Sequence, residues 1–463
     1  MSFSVAGQRV VVAGGGRSGT AVAELLVSRG ARVTLSDTAA TLDQRAHLES
    51  LGVAVELGPH PPALFAAADL VVMSPGVPAD HPAVEAARQA GVPVMGEVEL
   101  ASRWLTGRVI AITGTKGKST TTTLTARMLR EGGFDVTAGG NLGTALSAQV
   151  KDTRPAALHV VEVSSFQLET TETFHPWIAV LLNLSPDHLD RHGTFEAYGA
   201  AKARVFQRQT ADDWAVINAD DPGALALARG IRARRCEFAL DASIERGVTV
   251  EAGDIVWRQG ATATPLLPVA TVRLPGRHLL GDVLAATAVS CVIGVAPAAI
   301  RRAVEGFTGL EHALELVSEV RGIRYVNDSK ATNIAAARRS VESFDGGIVA
   351  IMGGRFKGGR FEDLRDVVAD RVDAIVAIGE ARPLIHAALG DVTPVHDAAS
   401  MSEAVRQAAA LAPPGGVVLL APACASFDMF RDYAARGEAF KREVAALATS
   451  GRGRFLDRPE RHR

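Results

Sequence analysis

Apolar positions in this chain come in short continuous runs rather than in alternation. They are Arg9–Ala13, Arg32–Leu35, Leu70–Met73 and Val92–Met95, then Val109–Thr113, His159–Val163, Ile178–Asn183 and Trp214–Asn218, and later Gly347–Met352, Ala374–Ile378 and Val417–Ala421. Runs of this kind belong to strands buried on both faces, and the stretches between them are long enough for helices. The pattern predicts an α/β protein of mainly parallel sheets with flanking helices. Three groups of runs predict three domains, 1–98, 99–309 and 310–463, with junctions near Glu97 to Gly107 and Phe307 to Glu311. Between Cys236 and Thr271 the pattern loosens into Val248–Val250, Ile255–Trp257 and Ala270–Val272. Such short β-like pieces predict a small antiparallel excursion in the middle domain.

Composition narrows the class. The 463 residues are 47% hydrophobic and 22% charged, which excludes a disordered or fibrous chain. With 49 Lys and Arg against 51 Asp and Glu, the net charge of −2 gives no broad attraction to nucleic acid or to an anionic membrane. Only Gly451 to Arg463, with five Arg, is basic, and a disordered end is expected there. Cys236, Cys291 and Cys424 lack any CxxC spacing and suit a reducing compartment. The start, MSFSVAGQRVVVAGGG, does not read as a signal peptide, and no run approaches the ~18 apolar residues of a membrane span. A cytoplasmic protein is expected.

Two loops carry phosphate chemistry. Gly14-Gly15-Gly16-Arg17-Ser18-Gly19 follows a strand and opens a helix, the GxGxxG form in which small residues let a helix amino terminus meet a phosphate. Asp37, ending the next strand, is placed for ribose hydroxyls, and Ser74-Pro75-Gly76-Val77-Pro78 ends a later strand on the same edge. Ligand-free turns are the plainer reading of both. More specific is Ile110-Ala111-Ile112-Thr113-Gly114-Thr115-Lys116-Gly117-Lys118-Ser119-Thr120, a strand feeding a Gly-Lys-Ser loop and a helix. Backbone N–H groups of such a loop surround phosphates, Lys118 neutralises their oxygens, and Ser119 can hold Mg²⁺. It departs from the strict spacing, with Ile112 where the first Gly would stand.

Later strand ends add further candidates. Glu162 is a carboxylate in an apolar run, better explained by Mg²⁺ than by a core salt bridge. His188, in Asn183-Leu184-Ser185-Pro186-Asp187-His188-Leu189-Asp190, is either a metal ligand or a satisfied surface histidine, and Lys202 reads by composition as a solvated helix lysine. Asn327-Asp328-Ser329-Lys330-Ala331-Thr332-Asn333 is dense in donors and acceptors and suits a ligand loop or a helix cap. Met352 to Lys357 and Ala421 to Asp428 place a cation and a hydroxyl on one edge, where they could grip a small dicarboxylate.

In order along the chain, GTxGKST, the Glu before Ser-Ser-Phe-Gln-Leu-Glu, Asn-x-x-x-Asp-His-Leu-Asp, Asn-Asp-Ser-Lys-Ala-Thr-Asn, and Pro-Ala-Cys-Ala-Ser-Phe-Asp followed by Arg436-Gly437 resemble the Mur ligases, from about Val10 to Phe440. The last two motifs resemble the branch that adds D-glutamate. The resemblance implies Rossmann-like first and third domains around a P-loop NTPase-like central one, with the roles of binding a UDP-substrate, ATP and the incoming amino acid respectively in domains one, two and three. It implies an amide-forming ligase that joins D-glutamate to UDP-N-acetylmuramoyl-L-alanine through an acyl phosphate, in peptidoglycan precursor synthesis. ATP, Mg²⁺ and CO₂ as a lysine carbamate are the implied cofactors, and the implied protein is a monomer.

By position, the resemblance assigns catalysis to Lys118, Glu162, His188, Lys202 and Lys330. ATP would meet Gly114, Thr115, Lys116, Gly117, Lys118, Ser119, Thr120, Asp282 and Asp328, and Mg²⁺ would meet Ser119, Glu162, His188 and carbamylated Lys202. The UDP-substrate would meet Gly14 to Gly19 (Gly16, Arg17 and Ser18 foremost), Asp37, Thr38, Ser74, Pro75, Gly76 and Asn141. D-Glutamate would meet Thr332, Lys357, Ser426, Phe427 and Tyr433, the last standing where the family often has Phe. Gly276-Arg277-His278-Leu279-Leu280-Gly281-Asp282 and His312-Ala313 depart from the family pattern, losing two amides and an arginine near ATP, while Ala421 replaces a usual Ser. An anion at Asp282 would oppose a polyanionic nucleotide. Two alternatives follow: a non-catalytic or altered-specificity relative with a weakened ATP site, and a nicotinamide dehydrogenase, which leaves the Gly-Lys-Ser loop unused.

Overall fold

The computed structural model describes residues 3–453. Beyond the backbone of 451–453, the basic tail lies outside the described residues. The first sheet holds β1 (Arg9–Ala13), β2 (Arg32–Asp37), β3 (Ala54–Leu57), β4 (Leu70–Met73) and β5 (Val94–Gly96). Their order is β3-β2-β1-β4-β5, all parallel. The order reverses beside β1, so the loops after β1 and β4 part there and leave a crevice at the carboxyl edge.

The second sheet holds β6 (Arg108–Thr113), β7 (Val136–Gly140), β8 (Leu158–Glu162), β9 (Ile178–Leu181), β10 (Trp214–Asn218), β11 (Arg234–Phe238), β12 (Arg246–Glu251), β13 (Asp254–Gln259) and β14 (Thr262–Pro268). Its order is β14-β13-β12-β11-β10-β9-β6-β8-β7. The antiparallel excursion is real, with β12, β13 and β14 paired antiparallel. Its last strand is not Ala270–Val272, because Val269–Thr271 form a 3-10 turn and Thr262–Pro268 pairs instead. That segment carries Pro265 and Pro268, which argue against a central strand but are tolerated at a sheet edge.

The third sheet holds β15 (Glu315–Val320), β16 (Ile323–Asn327), β17 (Ile348–Gly353), β18 (Val372–Ile378), β19 (Val395–Asp397) and β20 (Val417–Leu420). It runs β15-β16-β20-β17-β18-β19, with only β15 antiparallel. The first two sheets share one compact unit, Met1–Val272 with Gly281–Gly306, and the third belongs to another, Arg273–Leu280 with Phe307–Arg463. Every residue of β4, β9, β17 and β20 is buried, which is why these strands read as unbroken apolar runs. No helix among the described residues is long and apolar enough to cross a membrane.

Candidate active site

The crevice of the first sheet is a cavity of about 380 Å³, large enough for a nucleotide-sized ligand. Gly14, Gly16, Arg17 and Ser18 line it from the loop after β1, Asp37 and Thr38 from the end of β2, and Ser74 to Val77 from the loop after β4. Gly140 at the end of β7, Asn141, Gly143 and Ala145 in the loop after it, and Gln167 of the helix Ser165–Glu169 close it. The glycine loop is tight: a Cβ on Gly19 would lie 1.7 Å from the Gly14 carbonyl oxygen. Ser74 Oγ donates to that same oxygen at 2.9 Å, joining the two loops. The helix Arg17–Ser28 has Gly16 at its N-cap with no side-chain cap, so its first N–H groups face the cavity unclaimed by a side chain. Asp37 receives the N–H of Gly15 at one oxygen and of Ala39 at the other, leaving each a second lone pair for a ligand hydroxyl.

The Gly-Lys-Ser loop joins β6 to the helix Lys118–Glu131. Gly117, at φ 83°, is its N-cap, again without a side-chain cap and with no acidic residue in the first turn. The helices Ser165–Glu169, Phe195–Ala203 and Pro222–Leu227 of the same unit are instead capped by Ser164, Thr194 and Asp221. Lys118 Nζ lies across the loop and donates to the carbonyls of Gly114 at 3.0 Å and Thr115 at 2.9 Å. Because β8 lies between β6 and β7, Glu162 is in register with Ile112 on one side and Gly140 on the other. Its buried carboxylate accepts from Ser119 Oγ at 2.7 Å and from Asn141 Nδ2 at 2.6 Å. One side chain thus touches both the phosphate loop and the wall of the nucleotide cavity.

Lys202 is not a solvated lysine. It is 1% exposed, donates to the Gly114 carbonyl at 2.8 Å, and lies 4.6 Å from the centre of the Tyr198 ring. Burial, helped by the neighbouring charge of Lys118, pushes its ammonium down to about 7. Tyr198 OH donates to Thr115 Oγ1 at 3.1 Å, and Lys116 pairs with Asp187 at 3.2 Å, so the loop is braced from the segment that carries His188. His188 has a left-handed backbone, φ 53°, and its ring rests 4.9 Å from Phe166 and 6.5 Å from Tyr198. Among the described residues its ring makes no hydrogen bond to Ser119, Glu162 or Lys202. Asp282 stands against the loop: a Cβ on Gly117 would be 2.0 Å from its Oδ1. Burial pushes its carboxyl up to about 7, so near neutrality much of it is an uncharged acid rather than the anion expected from sequence.

Three family models cover the chain: a MurD-like N-terminal domain over 8–96, a Mur ligase middle domain over 112–290, and a Mur ligase glutamate ligase domain over 314–424. The chain is 46% identical to a UDP-N-acetylmuramoylalanine–D-glutamate ligase of Acidobacterium capsulatum, over 95% of this chain and 96% of that one. To the protein of the same name in Koribacter versatilis it is 43% identical, over 96% and 99%. The chain belongs to the Mur ligase family. Among solved Mur ligases, the UDP-N-acetylmuramate-alanine ligase of Thermotoga maritima shares the fold at a TM-score of 0.58 and 19% identity, covering 96% of this chain and 100% of that one.

In the second compact unit, the loops after β16, β20 and β17 lie side by side, as three adjacent parallel strands require. They carry the residues that the Mur ligase resemblance assigns to the amino acid: half-buried Thr332, exposed Lys357, and Ser426, only 2% exposed. Phe427 and Tyr433 are exposed. Arg355 and Ala425 exchange backbone hydrogen bonds at 2.9 Å, joining the second and third of these loops. Asn333 is a helix cap, its Oδ1 accepting from Ala336 at 2.8 Å. Asp328 turns inward to accept from Ser340, and burial pushes it up to about 6. Lys330 is exposed beside it and Ala313 lies near, with His312 accepting the Lys330 N–H through its carbonyl at 3.0 Å.

Sequence reasoning missed His60, Gln167 and Arg436. His60 lines the cavity while hydrogen-bonded to Ser36 Oγ at 2.7 Å, and burial lowers its pKa. It follows β3, a strand too short and mixed to read as one. Gln167 closes a capping box with Ser164, a signal visible in Ser164-x-x-Gln167. Arg436 was legible only as part of a motif, although it is 1% exposed and bonds Ser329, Cys424 and Gly353.

Proposed function

We propose that the chain is an ATP-dependent ligase that joins the amine of D-glutamate to the carboxylate of UDP-N-acetylmuramoyl-L-alanine, a step of peptidoglycan precursor synthesis in the cytoplasm. The observation that carries this reading is the placement of Glu162 between Ser119 and Asn141. It puts the phosphate loop next to the far end of the nucleotide cavity, where a substrate held by its uridine diphosphate would present its carboxylate.

The residues fit the groups that the reaction needs. The loop from Gly114 to Gly117 packs closely against Leu182 and Asp282 through its glycines and offers a helix start whose N–H groups are free of a side-chain cap, which suits a polyphosphate. Ser119 and Glu162 converge as hard oxygen donors, the set Mg²⁺ takes. Mg²⁺ would be held by these two, with His188 and a carbamylated Lys202 holding a second ion, and when bound it offsets charge as one anion approaches another. Lys118 is released from the loop carbonyls to hold the γ-phosphate, with Thr115, Lys116 and Thr120 around it. Asp282, much of it held as the uncharged acid near neutrality, repels the nucleotide less than an ordinary aspartate would. Asn141 orients the sugar and alanine part of the substrate.

The substrate carboxylate attacks the γ-phosphorus, giving an acyl phosphate and ADP. The amine of D-glutamate then attacks the acyl carbon, and phosphate leaves from a tetrahedral intermediate. Thr332, Lys357, Ser426 and the backbone near Phe427 hold the two carboxylates of D-glutamate, while Tyr433, Lys330 and Asp328 complete that side. The first domain serves the UDP-substrate, the second ATP, and the third the amino acid, in a monomer.

The test is phosphate release by the purified protein with Mg·ATP and UDP-N-acetylmuramoyl-L-alanine. D-Glutamate is expected to support it, L-glutamate and L-lysine are not, and Lys118→Ala abolishes it. Release independent of the amino acid, or none from folded protein supplied with bicarbonate, would overturn the reading.

A further inference from the structure

Arg191 has no part in the chemistry above, yet it occupies the seam between the nucleotide cavity and the catalytic loops. Its guanidinium donates to the Pro75 carbonyl at 2.8 Å and to the Val77 carbonyl at 3.3 Å, both in the loop that lines the cavity. The same group lies 4.0 Å from the centre of the Phe166 ring and 3.6 Å from Glu169. Phe166 stacks on His192 at 5.3 Å and touches the His188 ring, and His192 bridges Ser165 at 2.9 Å and Glu169 at 3.0 Å. The void left at this seam is about 10 Å³, room for one water at most.

The arrangement has a direction. Arg191 follows His188 by three residues, and Ser165 follows Glu162 by three, so the cluster is fastened to both catalytic segments. A planar fork of donors is the side chain that can hold two carbonyls and stack on a ring at once. We propose that Arg191 is a positioning residue that fixes the Ser74–Val77 loop against the His188 and Glu162 segments. It thereby sets the distance between the seat of the uridine diphosphate and the reacting carboxylate. This inference rests on the functional reading above.

Two measurements test it: binding of UDP alone by calorimetry, and the separate KM values for the UDP-substrate, ATP and D-glutamate. Arg191→Met is expected to weaken UDP and raise the KM for the UDP-substrate at least tenfold, while the other two KM values stay within twofold. Arg191→Lys recovers part of the loss, because an ammonium can reach one of the two carbonyls. If Arg191→Met does not fold, Arg191→Lys and Phe166→Leu, which removes the ring beneath the guanidinium, carry the test with the same split. Unchanged UDP binding in these variants, or a rise of all three KM values together, overturns the proposal. No UDP binding by the unaltered protein would instead overturn the reading of the cavity.

Discussion

Lys202 donates to the carbonyl of Gly114 at 2.8 Å, and Lys118 donates to the same oxygen at 3.0 Å. Two ammonium groups therefore share one acceptor at the mouth of the phosphate loop. Their repulsion and the burial of Lys202 both favour its free amine, which is the form that adds CO₂. Were CO₂ to add there, the nitrogen lone pair would bond carbon, a proton would leave to solvent, and an ammonium beside Lys118 would become an anion. A repulsive contact would become an attractive one.

The first prediction follows from this contact. With ¹³C-bicarbonate the protein should show a carbamate carbon resonance, strengthening from pH 6 to 8 as the amine is released near pH 7. Lys202→Gln should lack the resonance and lose activity by ~10²-fold or more, as when a preorganised charge is removed from a reacting site. Full activity in CO₂-free buffer with no resonance would rule the carbamate out.

Asp282 makes a pH-dependent prediction with a definite sign. Its carboxyl is raised to about 7 in the folded protein, against an ordinary value of ~3.9 for aspartate. Between these values the native state holds a proton that the unfolded chain has lost, so stability falls as pH rises through the window. Asp282→Asn cannot ionise. Its melting temperature should exceed that of the unaltered protein at pH 8.5 and show little or no advantage near pH 4. A difference that is the same at both pH values would show that Asp282 is not buried as an acid.

The strands of this fold are not equally visible in the sequence. Leu70–Met73 and Val417–Leu420 announced themselves because burial on both faces needs unbroken apolar residues. Val136–Gly140 did not, since Val-Thr-Ala-Gly-Gly is too small and polar to read as a strand, and its glycines answer a backbone constraint. A Cβ on Gly140 would lie 2.4 Å from the Glu162 carbonyl oxygen. Arg234–Phe238 was hidden by its exposed arginines, and Thr262–Pro268 by its prolines. The loops were legible in kind, because glycine, lysine and serine at fixed spacing have few other uses. What no spacing reveals is that Asn141, just past β7, reaches Glu162 at the end of the adjacent β8, or that burial pushes Asp282 up to about 7.

Glu162 should separate binding from chemistry. Glu162→Gln keeps the length and one acceptor oxygen for Ser119 or Asn141 but removes the anion that Mg²⁺ would meet. UDP binding, which rests on the cavity lining, should change by less than twofold, while kcat falls by ~10²-fold or more. Loss of UDP binding in proportion to kcat would make Glu162 a scaffold for Asn141 rather than a metal ligand.

Arg436 gives the clearest test of the second compact unit. Buried as it is, its guanidinium bonds Ser329 Oγ and the Ser329 carbonyl, both at 2.9 Å, the Cys424 carbonyl at 3.1 Å and the Gly353 carbonyl at 3.4 Å. Burial lowers it to about 10, so it stays charged at neutral pH, and among the described residues it has no carboxylate partner within ion-pair distance. It is therefore a clamp on the loops after β16, β20 and β17, the loops that carry Thr332, Ser426 and Lys357. Removing it leaves several buried acceptors unpaired, at ~1–3 kcal/mol for each. Arg436→Met should lower the unfolding free energy by about 3 kcal/mol or more and raise the KM for D-glutamate, with that for the UDP-substrate unchanged. Arg436→Lys should recover only part of the stability, because a single ammonium cannot reach three loops at once. A denaturation midpoint and a D-glutamate KM both unmoved by Arg436→Met would show that the loops hold their shape without the clamp.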